Sequence, residues 1–376
     1  MNEIKIVDLH GQYLKIKDEV NSAIQNVIDS TAFIRGQDVR SFQDELSAYL
    51  DVKHTIACGN GTDALQVAMM TLELVPGDEV ITTPFTFIAT VEVIRLLGLK
   101  PVFVDVRPDT FNLDPEQLEQ ALTDRTRAIV PVHLFGQCAH MEAIMEFARI
   151  NGLYVIEDNA QALGADFLPA DGSIQKAGTI GHLGCTSFFP SKNLGAFGDG
   201  GALFTNDPSF GKRAASLVNH GMEKRYYYDH VGVNSRLDTL QAAILRVKLK
   251  HLDDYHLRRQ QAASWYDDTL SGIDEIEIPV RSAFTTHIFH QYTLQVKDSR
   301  RDALKQWLQE KSIPSQVYYP FPLHLQKAYS DLGYQEGDLP ISEGLCSRVL
   351  SLPMHTELEQ EQLEFISDQV NQFFKS

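Results

Sequence analysis

The sequence predicts an α/β protein: a mostly parallel central sheet flanked by helices, followed by a smaller C-terminal α+β domain. Three observations carry this reading. Short runs that are nearly all apolar alternate with helical stretches as far as Glu157, and strands apolar on both faces belong in a parallel sheet covered on both sides. Helical stretches end as helices should, with Gly98 after Arg95-Leu96-Leu97 and Gly152 after Arg149-Ile150-Asn151, the positions of C-cap glycines. Beyond residues 245–260 the order changes to long helix, strand, helix, loop, helix, which divides the chain into a large domain, 1–250, and a small one, 251–376.

Taken in order, Tyr13, Ile16, Val20, Ala23, Ile24, Val27 and Ile28 recur at helical spacing and predict a helix over 12–31. A second helix is predicted over 38–50. Strands follow at Glu79–Thr82, Val102–Asp105, Ala128–Val132 and Tyr154–Glu157, with helices Ala64–Leu74, Ile88–Leu97, Pro115–Leu122 and Met141–Asn151 between them. From about 180 to Thr205 the chain is glycine-rich, and its short pieces TSFF and GALFT suit hairpins and edge strands. One long helix is predicted from Leu237 through His256 and past 265. Then come a strand at Phe289–Val296, a helix at Arg301–Lys311, a proline-rich loop at Tyr319–Leu323 and a final helix at Leu358–Phe373.

Composition narrows the function. The chain has 376 residues, 43% hydrophobic and 22% charged, with formal net charge −17. That length is ample for a sizeable core. The acidity, with no block of Lys and Arg, argues against nucleic acid and anionic membranes as partners. Cys58, Cys138, Cys185 and Cys346 lie far apart with no CxxC pair, so neither a disulfide framework nor a zinc site is expected. The charged start lacks the apolar region of a signal peptide, and no apolar run has the length of a membrane span. A cytoplasmic protein without a metal is the expectation.

Three stretches could carry chemistry. Gly59-Asn60-Gly61-Thr62-Asp63 lies between an apolar run and a helix, where free N–H groups and the helix dipole favour an anion. It matches neither a Walker loop nor GxGxxG, and taken alone it more readily describes a plain turn that starts a helix. At Tyr154–Gln161 an apolar strand ends in Glu157 and Asp158; ligands of open α/β sheets bind at such carboxyl ends, although one acid capping the next helix and one in solvent is the plainer account. In the third stretch Lys192 sits among Phe188, Phe189, Pro190, Leu194, Ala196 and glycines. Desolvation lowers an ammonium's pKa and frees a neutral amine for attack on a carbonyl; the alternative is a lysine that snorkels to solvent. An anion cradle, a carboxylate and an amine together suit one ligand, pyridoxal 5′-phosphate (PLP).

The words of the sequence then resemble a known family. GNGTDAL (59–65), TPFTFIAT (83–90), VPVHLFGQ (130–137), VIEDNAQALGA (155–165), TSFFPSKNLGAFGDGGALFT (186–205), GVNSRLDTLQAAIL (232–245) and YYPFPLHLQ (318–326) resemble, in order, the DegT/DnrJ/EryC1/StrS sugar aminotransferases, which have the aspartate-aminotransferase-like fold type I. The resemblance implies roles. Lys192 is the Schiff-base lysine and proton shuttle, and Asp158 pairs with the pyridinium nitrogen. Gln161 bonds the ring's phenolic oxygen and Phe87 stacks on the ring. Gly61, Thr62, Asp63 and Ser187 hold the phosphate, and Asn234 reaches the phosphate of the neighbouring subunit in a homodimer with shared active sites. Asn159 stands where the family often has a small apolar residue. A lysine rather than a histidine at 192 argues for transamination over dehydration, with L-glutamate as donor by analogy.

The form SFFPSKNLG resembles members that aminate C3 of a nucleotide-linked keto sugar. HGMEKRYYYDHVGVNSRLDTLQAAIL (220–245) resembles those acting on UDP-2-acetamido-2-deoxy-3-keto-glucuronic acid for bacterial surface polysaccharide, including O-antigen. Arg225, His230 and Arg236, beside Lys224, are the candidates for its acidic groups; His290, Tyr318, Tyr319 and His324 are candidates for sugar contacts. A dTDP-3-keto-6-deoxyhexose 3-aminotransferase is the nearest alternative, and a non-catalytic PLP-binding regulator the more distant one.

Overall fold

The computed structural model describes residues 3–375. The apolar runs form one large sheet from β1 (His54–Cys58), β2 (Glu79–Thr82), β3 (Lys100–Phe103), β4 (Thr126–Ile129), β5 (Tyr154–Asp158), β8 (Leu183–Ser187) and β9 (Gly201–Thr205). Between β5 and β8 lies a small ribbon, β6 (Asp166–Phe167) with β7 (Gln175–Lys176). The sheet order is β1-β9-β8-β5-β4-β2-β3. β9 is antiparallel to both neighbours, and the remaining neighbours pair in parallel. A mostly parallel sheet is therefore what the apolar runs build.

Helices cover its faces. α1 (Leu9–Lys15), α2 (Lys17–Ser30) and α3 (Gln37–Leu50) precede the sheet; α4 (Gly61–Thr71), α5 (Ala89–Leu96), the short α6 (Leu118–Ala121), α7 (Met141–Asn151) and α8 (Pro208–Leu217) connect its strands. Gly152 caps α7 in the left-handed region at φ 64, and Gly98, just past α5, has φ 73. The single helix expected over 12–31 is broken at Ile16 (φ −121, ψ 17). There the buried Ile16 packs with Val20, Ile244 and Val247, so tertiary packing overrides the helical period. β4 stops short of the expected Val132 because Pro131 has no N–H for the ladder.

A hairpin arm, β10 (Met222–Lys224) with β11 (Tyr227–Tyr228), projects before α9 (Thr239–Leu249) and α10 (Leu252–Leu270). The long helix expected from Leu237 is thus two, divided at Lys250–His251. Lys248, only 2% exposed, turns inward and donates to the Gly195 carbonyl at 2.6 Å. The second sheet is antiparallel: β12 (Ile276–Glu277), β13 (Tyr292–Val296), β14 (Val349–Leu352). α11 (Arg301–Glu310), α12 (Pro340–Arg348) and α13 (Gln360–Lys375) accompany it. Its core joins Tyr266, Leu294, Leu308, Leu350 and Ile366, and takes Ile4 from the other end of the chain. β13 starts three residues later than expected because Phe289 has φ 48, and the buried Arg259 takes the carbonyls of Phe289 and His290. Among the described residues no helix is long and apolar enough to cross a membrane.

Candidate active site

Strand pairing gathers the three separate stretches at one edge of the large sheet. Asp158, last residue of β5, pairs with Cys185 of β8. Two residues on, Ser187 pairs with Gly201, and Gly201 also pairs with Cys58 at the end of β1. The loop that begins at Gly59 therefore emerges beside Ser187, and the lysine loop follows Ser187 directly. A Cβ on Gly61 would lie 2.6 Å from the Ser187 Cβ, closer than packing allows. Only glycine lets the cradle and the strand end approach this closely.

The cradle is the start of α4. Asn60 caps it, its side-chain oxygen accepting the Asp63 N–H at 2.8 Å. Asp63 therefore has no N–H to spare for a phosphate, contrary to the expectation from the sequence. Its carboxylate instead accepts the Ser235 hydroxyl at 2.6 Å, and that hydroxyl accepts from Gly59 N at 2.9 Å. Asp63 braces the loop. The N–H groups of Gly61 and Thr62 have no protein acceptor among the described residues. They face the end of a helix dipole that favours an anion. Ser187 accepts from Phe189 N, which leaves its own proton to donate.

Asp158 is 5% exposed. Its carboxylate accepts the Thr90 hydroxyl at 2.7 Å and the Ala160 N–H at 3.2 Å. Thr90 has no role in the sequence reading, although it lies inside TPFTFIAT; nothing in that word tells which threonine meets the acid. Lys192 is partly exposed and its amine has no hydrogen-bond partner among the described residues. Burial lowers its ammonium pKa to about 8, against the opposing pull of the nearby Asp158 charge. Gln161 has its orientation set by its neighbours. Its oxygen accepts the Phe135 N–H at 2.7 Å, so its NH₂ faces the site and donates to the Tyr319 hydroxyl at 3.2 Å.

The remaining candidates divide. Phe87 is 56% exposed, so it is not a core residue and its ring has a free face. His290 lies under the lysine loop, 6% exposed, with Nδ1 at 3.3 Å from the Asn193 oxygen. Burial, then the Lys192 and Arg259 charges, hold its pKa well below the ordinary histidine value. Tyr318 is half-buried beside Tyr319. His324 is 1% exposed, bonded to Glu343 at 3.1 Å and packed on Phe103 and Tyr334. A sealed side chain offers no face to a sugar hydroxyl, so His324 leaves the set of sugar contacts. Arg225 and His230 lie on or beside the arm, whereas Asn234 and Arg236 flank Ser235, whose hydroxyl ties that stretch to Gly59 and Asp63 of the cradle. Arg225 stacks on Tyr226 and bonds its hydroxyl at 3.1 Å. Asn234 is exposed and forms a β-bridge with Asn219.

The donor set fits PLP: an unpartnered amine of lowered pKa, a buried carboxylate beside it, an oriented amide donor, and free N–H and hydroxyl groups at a helix start. The nearby His133, Cys138 and Glu157 place possible metal-ligating atoms within 4.8 Å of one another. Glu157, however, already accepts from His133 and from the backbone of Gly178, Ile180 and Gly181.

The profile of the DegT/DnrJ/EryC1/StrS aminotransferase family matches residues 14–371. The chain belongs to that family. This aminotransferase is 44% identical to a "Pleiotropic regulatory protein" of Geobacillus stearothermophilus, over 99% of each chain. It is 42% identical to the UDP-2-acetamido-2-deoxy-3-oxo-D-glucuronate aminotransferase of Pseudomonas aeruginosa, over 96% of this chain and 98% of that one. It is 43% identical to the UDP-N-acetyl-3-dehydro-alpha-D-glucosamine 3-aminotransferase of Acidithiobacillus ferrooxidans, over 97% and 96%. Among solved structures it resembles NtdA of Bacillus subtilis with bound cofactor PMP, with TM-score 0.91 and 28% identity over 100% of this chain and 86% of that one. The protein is a PLP-dependent sugar aminotransferase of fold type I.

Proposed function

We propose that this aminotransferase moves an amino group from L-glutamate to C3 of UDP-2-acetamido-2-deoxy-3-keto-glucuronic acid. It would do so as a cytoplasmic homodimer, in the synthesis of a bacterial surface polysaccharide such as an O-antigen. The observation that carries the chemistry is the Lys192 amine, lowered to about 8 by burial and set beside Asp158. When bound, PLP supplies an aldehyde and an electron-accepting ring.

The chain supplies the rest. Lys192 would move a proton between the amine-bearing carbon of the donor and the aldehyde carbon of the cofactor, C4′, and in the reverse sense between C4′ and C3 of the sugar. Asp158, aimed by Thr90, holds the proton on the ring nitrogen. Gln161 donates to the ring oxygen, and Phe87 covers one ring face. Gly61, Thr62 and Ser187 hold the phosphate, and Asn234 serves the phosphate in the neighbouring subunit. Tyr318 and Tyr319, both partly exposed and the second bonded to Gln161, would meet the sugar.

The uronate is the finer part of the reading. Arg225 and Arg236, with His230 between them in sequence, offer forked donors suited to a carboxylate. The Pseudomonas relative is named for a glucuronate and the Acidithiobacillus relative for a glucosamine, so the carboxylate is the point to test. Purified protein is assayed with L-glutamate and each keto sugar generated in situ: the uronate, its glucosamine counterpart and a dTDP-3-keto-6-deoxyhexose. The uronate should turn over best, and Arg225→Met or Arg236→Met should slow it more than the others. Equal losses on all substrates would overturn the carboxylate assignment. Peptide mapping after borohydride reduction should place the cofactor on Lys192; a label elsewhere, or none, would overturn the chemistry, and a label on Lys192 without turnover of any keto sugar would favour the PLP-binding regulator.

A further inference from the structure

Successive side chains on a strand point to opposite faces. At the end of β5 this separates Asp158, bonded to Thr90, from Glu157 and Asn159 on either side of it. Glu157 is fully buried and belongs neither to a helix cap nor to solvent. Its oxygens accept His133 Nε2 at 2.7 Å, Gly178 N at 2.7 Å, Ile180 N at 2.7 Å and Gly181 N at 2.5 Å. His133 Nδ1 accepts the Ala139 N–H at 3.1 Å, which leaves its proton on Nε2 to donate to Glu157. Asn159, also fully buried, donates to the Ala177 carbonyl at 2.7 Å. The two side chains thus grip one segment, 177–181, at its start and along its length.

That segment has little room to move. Gly178 has φ 89, and a Cβ there would lie 2.6 Å from the Asn159 amide nitrogen. The main chain of the strand end is held as well. Asp158 N donates to Pro131 O at 2.9 Å, and His133 N donates to Asp158 O at 3.0 Å. Thr186 donates its hydroxyl to the Asn159 carbonyl at 3.1 Å. A strand end can twist about its own axis, and such a twist would swing Asp158 off the ring nitrogen. The clamp behind it resists that twist.

We propose that Glu157 and Asn159, with His133, are positioning residues that set the aim of Asp158 from the opposite face of β5. This rests on the pairing of Asp158 with the cofactor ring. In Glu157→Gln the amide NH₂ must face at least one N–H donor, because every bond in that site is accepted by the carboxylate. Asn159→Ala removes one bond and keeps the rest.

The test uses the full-length protein stripped of cofactor, with two probes. 4′-Deoxypyridoxine 5′-phosphate has the ring and phosphate but no aldehyde, and so reads Asp158 without Lys192. Inorganic phosphate reads the cradle alone. Glu157→Gln should weaken the ring probe about tenfold or more, and Asn159→Ala roughly threefold, since small misplacements far from the reacting atoms are costly. Phosphate affinity should not change, and the visible circular dichroism of bound PLP should fall as the ring loses its seat. Should Glu157→Gln fail to fold, Asn159→Ala carries the test. Equal losses for both probes would mean general loosening and overturn the proposal, as would no loss for either. Asp158→Asn serves as the control. If it leaves the ring probe unaffected, the Asp158 assignment fails; if it weakens the probe while both clamp variants do not, only the clamp fails.

Discussion

The buried edge of the large sheet and the exposed arm handle polar groups in opposite ways. At the edge, Asp158, Gln161 and Glu157 are enclosed, and each has its bonds assigned by backbone or hydroxyl partners. Burial there does chemical work, moving the Lys192 pKa to about 8. On the arm, Tyr226, Tyr227 and Tyr228 are 70%, 62% and 61% exposed, and Lys224 and Arg225 lie over Tyr227 and Tyr226. The contrast teaches that reactivity here is built into a packed scaffold, whereas the side chains proposed for the substrate are still free to meet a ligand.

The largest expected difference is between the two kinds of residue. Lys192→Ala should lower kcat by about 10⁴-fold or more and abolish the visible cofactor band, since no other group at the edge can take its place. Asp158→Asn should cost roughly 10²–10³-fold in kcat/KM, because a neutral amide no longer holds a proton on the ring. A small effect at either position, measured by single-turnover absorbance, would break the comparison at its reactive end. Arg225→Met on the arm and Arg236→Met next to Ser235 should act through KM for the uronate, by about tenfold each.

The pH dependence sharpens the same contrast. Lys192 attacks an aldehyde as the neutral amine, and its ammonium is lowered to about 8. The rate of PLP capture by cofactor-free protein should therefore rise about tenfold per pH unit below that value and level off above it. A lysine of ordinary pKa would still be gaining reactivity well beyond. The smallest expected effect is Tyr227→Ala, which should change unfolding free energy by less than about 0.5 kcal/mol in a denaturant titration. Phe42→Ala, whose ring is fully buried edge-on to Phe188 at 5.3 Å, should cost about 3–5 kcal/mol.

Much of the edge is legible in local words. Gly61 before an apolar helix, an apolar strand ending in Asp158, and a lysine amid apolar residues each point to one part of the site, and their order adds the fold. The second acid was legible as a carboxylate but not as a clamp, because its partners at 178–181 are ordinary backbone groups that no residue type announces. Asp63 misleads for a different reason: its N–H is taken by the side chain of Asn60, the cap three residues before it. His324 reads as polar and available, yet Phe103, Tyr334 and Glu343 close around it.

By itself the sequence determined the periods of most of its helices and strands, though not the breaks at Ile16 and Lys250–His251, together with the glycine that caps α7 and the residue types that chemistry at an aldehyde needs. These are set by interactions within a few residues, so they survive without knowledge of the fold. Only the tertiary structure decided which donors stay free, how far burial moves the Lys192 pKa, and which face of β5 each of residues 157, 158 and 159 presents. Those depend on desolvation and on bonds between distant segments, and both arise when the chain closes on itself.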